Sequence, residues 1–118
     1  MSEQPNSAPT ITRKALLTAL LSGGTSIERV EIKEIELAPG QRAGLHRHPC
    51  NVVGYIAHGT IVYEVEGQPA KQLNVGDAFH EPENARVISF DNASTTAPAR
   101  FIAFYLLSPG ENRLIEML

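Results

Sequence analysis

Apolar and polar residues alternate with a period of two through much of the chain after Val30. The clearest example is the run from Thr60 to Glu66, in which Ile61, Tyr63 and Val65 form one apolar side. This alternation predicts a strand with one buried face. Further short strands are predicted at residues 45–48, 54–57, 78–81, 87–90 and 101–107. Short strands with turns between them indicate an all-β sandwich or barrel.

The first part of this pattern changes phase. Val30 and Ile32 alternate with charged residues, as do Ile35 and Leu37, but the second pair is displaced by one position. An extra residue in the strand would shift the side chains in this way, so the pattern predicts a β-bulge near Lys33-Glu34.

The N-terminal residues lack the strand pattern. Residues 1–10 are polar and are predicted to be a flexible tail ahead of one domain over residues 11–118. From Ile11 to Leu21 the leucines are spaced for one face of a short helix that Gly23-Gly24 would end. An extended arm lying along the barrel or along a partner subunit is the alternative.

Net charge and cysteine content restrict the binding partners and the cellular compartment that can be expected. The net charge of −3 and the lack of a basic run argue against nucleic-acid binding. Cys50 is the only cysteine, so no intrachain disulfide can form and a reducing, cytoplasmic setting is expected. The apolar run after Arg13-Lys14 starts late for a signal peptide, lacks a clear cleavage site and is too short to span a bilayer. No membrane association is therefore predicted.

The candidate chemistry centres on His46-Arg47-His48. Residues two apart in a strand point to the same face, so both imidazoles can reach one point inside a barrel. Imidazole is a common ligand of transition metals. A pair of histidines on a surface loop is the alternative interpretation of this spacing.

Two stretches resemble the two sequence motifs of the cupin family. The first has the motif's leading glycine, its His-x-His pair and its closing glycine at Gly40, His46, His48 and Gly59. The second has the Gly-Asp pair, the proline and the terminal asparagine at Gly76, Asp77, Pro82 and Asn92. The resemblance covers roughly residues 11–107. It implies a double-stranded β-helix, the jelly-roll barrel of cupins, with the two histidines facing its interior.

The chain departs from the cupin pattern at two metal-ligand positions. Val52 stands where the first motif usually has glutamate, and Val87 stands where the second usually has its histidine. Two of the four ligands that the resemblance implies are therefore missing. His46 and His48 need at least one further ligand to hold a divalent ion tightly.

Three nearby residues are candidates for that ligand. Glu81 would share the face of Phe79 and would complete a two-histidine, one-carboxylate triad, whereas His80 would point the opposite way. Cys50 is two residues after His48, but Pro49 interrupts the strand that would aim its thiol. Cupins that resemble this chain often carry a Phe-x-Glu-Pro run here, which favours Glu81. The predicted site is thus His46, His48 and Glu81 with iron, manganese, zinc or nickel.

The remaining aromatic residues have mainly structural interpretations. The four phenylalanines are expected in the core, and either Tyr55 or Tyr63 could place a phenol in the pocket. The resemblance implies that a segment such as 12–23 is an arm that packs on a dimer partner, and hence a homodimer. Two functions remain open: a metal-dependent, oxygenase-like enzyme acting on a small polar molecule, or a non-catalytic cupin that binds a small ligand with weak or absent metal.

Overall fold

The computed structural model describes residues 9–21 and 26–118, and within them it contains nine strands and no helix. The strands are β1 (Arg29–Leu37), β2 (His46–Arg47), β3 (Asn51–His58), β4 (Ile61–Val65), β5 (Lys71–Leu73), β6 (Ala78–Glu81), β7 (Val87–Asn92), β8 (Ala99–Leu107) and β9 (Glu116–Met117). The sequence pattern missed β5 and β9, which are too short to show alternation.

The strands form two antiparallel sheets that enclose one core. The four-stranded sheet has the order β1-β8-β3-β6, and the five-stranded sheet has the order β5-β4-β7-β2-β9. Buried side chains alternate along β4 and β8, as expected for strands with one face against a core. The prediction of an all-β jelly-roll fold is confirmed.

Strand β1 contains no β-bulge, so the bulge predicted near Lys33-Glu34 is wrong. It pairs with β8 in unbroken register from Arg29↔Leu107 to Leu37↔Ala99. The apolar pattern changes phase because Val30 and Ile32 lie on the outside of the sheet, whereas Ile35 and Leu37 face the core. The apolar and aromatic side chains on that outside, which lie beside the Glu34–Arg100 ion pair, define what we call the outer face: Val30, Ile32, Val53, Tyr55, Ile102 and Phe104.

Aromatic rings fill one part of the core. Phe90 packs against Phe101 and Phe79, with ring centroids 4.6 and 5.1 Å apart, whereas Phe104 lies half-buried on the outer face rather than in the core. Gly54 makes room for this cluster, because it lies opposite Phe79 in the sheet. A Cβ atom at Gly54 would lie 2.7 Å from the Phe79 ring and 2.0 Å from the Ile102 carbonyl oxygen.

The predicted N-terminal helix is wrong. Residues 9–21 form no helix, and the large side chains of Ile11, Leu16 and Leu20 are exposed. Part of this segment, which we call the arm, lines a cleft together with Val53, Tyr55 and Phe104 of the outer face. The tail at residues 1–8 and the Gly23-Gly24 stop lie outside the described residues. In the described part of the chain, no helix offers the length and apolarity needed to cross a membrane.

Candidate metal centre

Three buried polar side chains meet inside the barrel. His46, His48 and Glu81 are only 3–5% exposed, and one potential ligand atom from each lies within 4.8 Å of the others. The Glu81 Oε2 atom is 3.9 Å from His46 Nε2 and 2.5 Å from His48 Nε2. The structure thus brings together the three residues predicted from sequence.

Backbone carbonyl groups orient both imidazole rings. The Nδ1 atom of His46 donates a hydrogen bond to the Gly44 carbonyl oxygen at 2.7 Å, and that of His48 donates to the Leu114 carbonyl oxygen at 2.6 Å. With one proton held on Nδ1, each Nε2 atom is directed at Glu81 and can take up either a metal ion or a second proton. This is the tautomer in which histidine binds a metal through Nε2.

Glu81 reaches the site through a row of paired residues across the four-stranded sheet. Val52 in β3 is paired with Glu81 of β6 on one side and with Tyr105 of β8 on the other side. Side chains of directly paired residues share one face, and all three are buried. Val87, at the other substituted ligand position, is fully buried opposite His46. Both valines therefore lie beside the three polar residues.

The electrostatics of this cluster favour a cation. Two imidazole lone pairs and a carboxylate facing one another repel unless a proton or a metal ion lies between them. Burial lowers the pKa of His48, but the hydrogen bond and negative charge of Glu81, together with the Leu114 carbonyl, raise it by more, so the net shift is upward. Two nitrogen donors and one carboxylate fit iron, manganese, zinc or nickel, so the residues suit the metal that the cupin pattern implies.

The other two candidate ligands point elsewhere. His80 lies on the opposite side of β6 from Glu81, and its Nε2 atom donates to the Asn51 Oδ1 atom at 2.9 Å. Cys50 lies in a bend beyond the end of β2 and is packed in the core, outside the cluster of possible ligands. Burial raises the pKa of its thiol to about 11, so it stays protonated at neutral pH.

Of the three tyrosines, the one that enters the site is Tyr105, which sequence analysis did not single out. Tyr63 donates its hydroxyl to the His80 carbonyl oxygen at 2.8 Å, and Tyr55 is exposed on the outer face. The Tyr105 ring packs edge-on against the His48 ring, with centroids 5.7 Å apart. Its alternation with Phe101 and Ala103 in β8 was the available signal. Burial and the charge of Glu81 raise its pKa to about 12, so the phenol keeps its proton.

The site opens into a small, largely apolar cavity. Its empty volume is about 480 Å³, part of which is open solvent at the mouth. His46, His48, Glu81 and Tyr105 supply its polar groups. Among residues 9–21 and 26–118, no lysine or arginine belongs to the lining. The apolar lining consists of Ile35, Leu37, Ala43, Val52, Phe79, Phe90, Phe101, Ala103 and Ile115.

Residues 114–118 cover this end of the barrel, a role that sequence analysis did not anticipate. Strand β9 pairs with β2, which places Met117 opposite His46. An ion pair of 2.9 Å between Arg47 and Glu116 holds the same two strands together. Ile115 lines the cavity, and Leu114 supplies the carbonyl that orients His48.

Solved structures with a similar fold include several enzymes. Oxalate decarboxylase from Bacillus subtilis matches with a TM-score of 0.65 at 17% identity, covering 77% of this chain and 24% of its own. The DMSP lyase DddQ from Ruegeria pomeroyi matches with a TM-score of 0.63 at 16% identity. The match covers 75% of this chain and 42% of the lyase. A cupin-like protein from Thermotoga maritima matches with a TM-score of 0.62 at 24% identity. The match covers 75% of this chain and 64% of that protein. The chain thus spans less than two thirds of each of these proteins, and at such identities the likeness shows the fold alone.

No curated protein sequence matches the chain significantly. The family model described as "Cupin domain" matches residues 33–105, which include both histidines, Glu81 and Tyr105. This match spans more than half of the chain and agrees with the jelly-roll fold and with the two sequence motifs. The chain belongs to the cupin family.

Proposed function

We propose that this cupin binds one divalent transition-metal ion through His46, His48 and Glu81 and acts as a metal-dependent enzyme on a small molecule. The observation that carries the proposal is the orientation of both imidazoles, whose Nε2 atoms face the Glu81 carboxylate in the buried part of the cavity. Such a site leaves coordination positions open, because the chain supplies three ligands rather than the usual four.

Each protein group has a defined part in this proposal. The metal supplies a Lewis-acid centre or, if it is iron or manganese, a redox centre for oxygenase-like chemistry. His46 and His48 bind through Nε2, and the Gly44 and Leu114 carbonyls hold the rings in place. The apolar lining limits the access of water, which strengthens electrostatic interactions in the site.

Similar folds support a small-molecule substrate. The structurally similar proteins include an oxalate oxidase in complex with glycolate and the DMSP lyase already described, both of which carry names of small-molecule enzymes. Their identities with this chain are 21% and 16%, so they suggest a class of ligand and do not identify one.

A non-catalytic role is the second candidate. Val52 lines the cavity at a position where the cupin pattern has a ligand, and most of the other lining side chains are apolar. A cavity of this kind suits a binding module in which metal is weak or absent. Metal content distinguishes the two candidates.

The decisive experiment is elemental analysis and calorimetric titration of protein purified without a histidine tag. We expect one divalent ion per chain, a loss of affinity of about a hundredfold or more in His46→Ala and His48→Ala, and a smaller loss in Glu81→Gln. His58→Ala is the matched control, because His58 is an exposed histidine at the end of β3, outside the three-residue cluster. Retained binding in Glu81→Gln would remove Glu81 from the ligand set, and absence of metal in the wild type would favour the binding module.

We also propose that the protein forms a homodimer through the arm and the outer face. Ile32 and Leu20 are 61% and 84% exposed, and the arm lines a cleft with other apolar side chains of the outer face. Contiguous exposed apolar surface of this kind is typical of interaction sites. A second copy of the chain would cover both the arm and the outer face symmetrically.

A further inference from the structure

The hydroxyl group of Tyr105 has no protein partner among residues 9–21 and 26–118. Tyr105 is 7% exposed and lines the cavity next to His48. The other buried tyrosine, Tyr63, donates its hydroxyl to the His80 carbonyl oxygen. The two phenols therefore differ in hydrogen bonding: the Tyr63 hydroxyl donates to a backbone carbonyl, whereas the Tyr105 hydroxyl remains available to donate to a ligand.

An unpaired buried hydroxyl costs free energy, and native proteins keep few of them. Replacing Tyr105 by phenylalanine would fill almost the same space without this cost. The hydroxyl lies on the row that begins at Glu81, so it faces the region where a ligand of the proposed metal would bind. A ligand with an oxygen acceptor would satisfy it.

The rest of the cavity restricts what that ligand can be. Phe79, Phe90 and Phe101 form an aromatic part of its lining, and the described part of the chain places no lysine or arginine there to neutralise a second negative charge. A second carboxylate would be buried against aromatic rings without a partner, which is strongly unfavourable. A short hydrocarbon or aryl group would instead pack well there.

We propose that the cavity binds a small monocarboxylate with a short apolar or aryl tail, and that Tyr105 donates a hydrogen bond to the carboxylate. The inference rests on the proposed metal centre, which would hold one carboxylate oxygen while the Tyr105 hydroxyl binds the other. Tyr105 thereby selects for an oxygen acceptor, and the phenylalanines select against a second charge. It is a ligand-binding residue, and no proton transfer is assigned to it.

The test uses the full chain loaded with zinc, which is redox-inert. Butanoate is titrated by calorimetry into wild type, Tyr105→Phe and Tyr63→Phe, with succinate as the dicarboxylate of equal carbon number. We expect butanoate to bind wild type at least about tenfold more tightly than succinate. Tyr105→Phe should lose about tenfold or more of the butanoate affinity, the usual effect of removing a hydrogen bond to a charged group.

Two further measurements separate a ligand-binding role from a structural one. Tyr105→Phe should keep the zinc affinity and a Tm equal to or above that of wild type, because it removes an unpaired hydroxyl. Tyr63→Phe should show the reverse, a lower Tm with unchanged butanoate affinity. Wild type that binds zinc but prefers succinate, or a Tyr105→Phe variant that keeps butanoate affinity, would overturn the inference alone. Failure of wild type to bind zinc would overturn the metal centre together with this inference.

Discussion

The two faces of the four-stranded sheet are built from the same strands but carry different side chains. On the inner face, Glu81, Val52 and Tyr105 form a row in which polar groups are buried beside the histidines. On the outer face, the neighbouring row contains Ile32 and Phe104, apolar side chains that remain partly or largely exposed. In these two rows, polar groups are therefore buried and apolar groups exposed, the reverse of the usual arrangement, whereas the rest of the inner face is apolar core.

The apolar residues of the outer face explain why apolar alternation was an ambiguous guide in β1. A strand that carries apolar residues on both faces, some against the core and others on the outside of the sheet, shows no constant phase. Val30 and Ile32 serve the outer face and Ile35 and Leu37 the inner face within one regular strand. The buried polar row and the apolar outer face are the two places where the usual pattern does not hold, and they are the places to which we assign the proposed metal centre and the proposed dimer contact.

The largest loss of stability is expected from Gly54→Ala, which would disrupt packing on the inner face. The new methyl group would collide with the Phe79 ring and the Ile102 carbonyl oxygen, and backbone cannot easily move aside. We expect the free energy of unfolding to fall by about 3 kcal/mol or more. Val53→Ala, one residue away on the outer face, should cost only about 1 kcal/mol. Equal losses in chemical denaturation would contradict the close packing at Gly54.

The inner face should also respond to pH in a way that depends on metal. Because the pKa of His48 is raised, the metal-free protein is stabilised most below the ordinary value of about 6.5 and loses this stabilisation as the pH rises through the folded-state pKa. With zinc bound, His48 must be unprotonated, so stability should instead fall as the pH drops.

Thermal unfolding between about pH 5.5 and pH 8, in chelator and in excess zinc, measures both slopes. His58→Gln, which alters an exposed histidine, is the control and should change neither slope. Slopes of the same sign with and without zinc would argue against His48 as a ligand.

The outer face is tested by changing assembly without touching the site. Phe104→Asp places a charge on the apolar patch, and deletion of residues 1–22 removes the arm. Both should convert a dimer to monomer at low micromolar protein, raising the dimer Kd by about tenfold or more. Light scattering measures the state, and zinc content should be unaffected. A truncated protein that stays dimeric would exclude the arm from the interface.

The smallest effect is expected from Cys50→Ala. The thiol is buried in the core and stays protonated, and it lies outside the three-residue cluster. Metal content should be unchanged and stability should fall by about 1 kcal/mol because a small core side chain is lost. Loss of metal from the folded variant would show that Cys50 belongs to the ligand set.

Local pattern was sufficient to predict most strands, and together with the cupin resemblance it predicted the meeting of His46, His48 and Glu81. The period of two fixes which residues of one strand share a face, and this correctly separated Glu81 from His80. The cupin motifs then supplied which face is inside. These inferences needed only neighbouring residues and a family resemblance.

Other parts of the site depend on contacts between distant segments. Tyr105 joins Glu81 only through the registers of β8 with β3 and of β3 with β6, which alternation does not encode. Leu114 orients His48 with a backbone carbonyl, a group that every residue has and that no side-chain pattern reveals. The arm was ambiguous for a related reason, since its leucine spacing fits a helix but too few residues are available to stabilise one without packing.

The hydrogen bond from His48 to the Leu114 carbonyl also has a consequence for folding, because it joins two distant parts of the chain. The ribosome makes His48 long before Leu114, and the imidazole cannot take up the hydrogen bond that fixes its tautomer until the later residue has been added. Strand β2 likewise gains its β9 partner only after β1 to β8 have been made. The orientation of the His48 ring therefore depends on a residue 66 positions further along the chain, and it cannot be fixed before residues 114–118 have packed on the barrel.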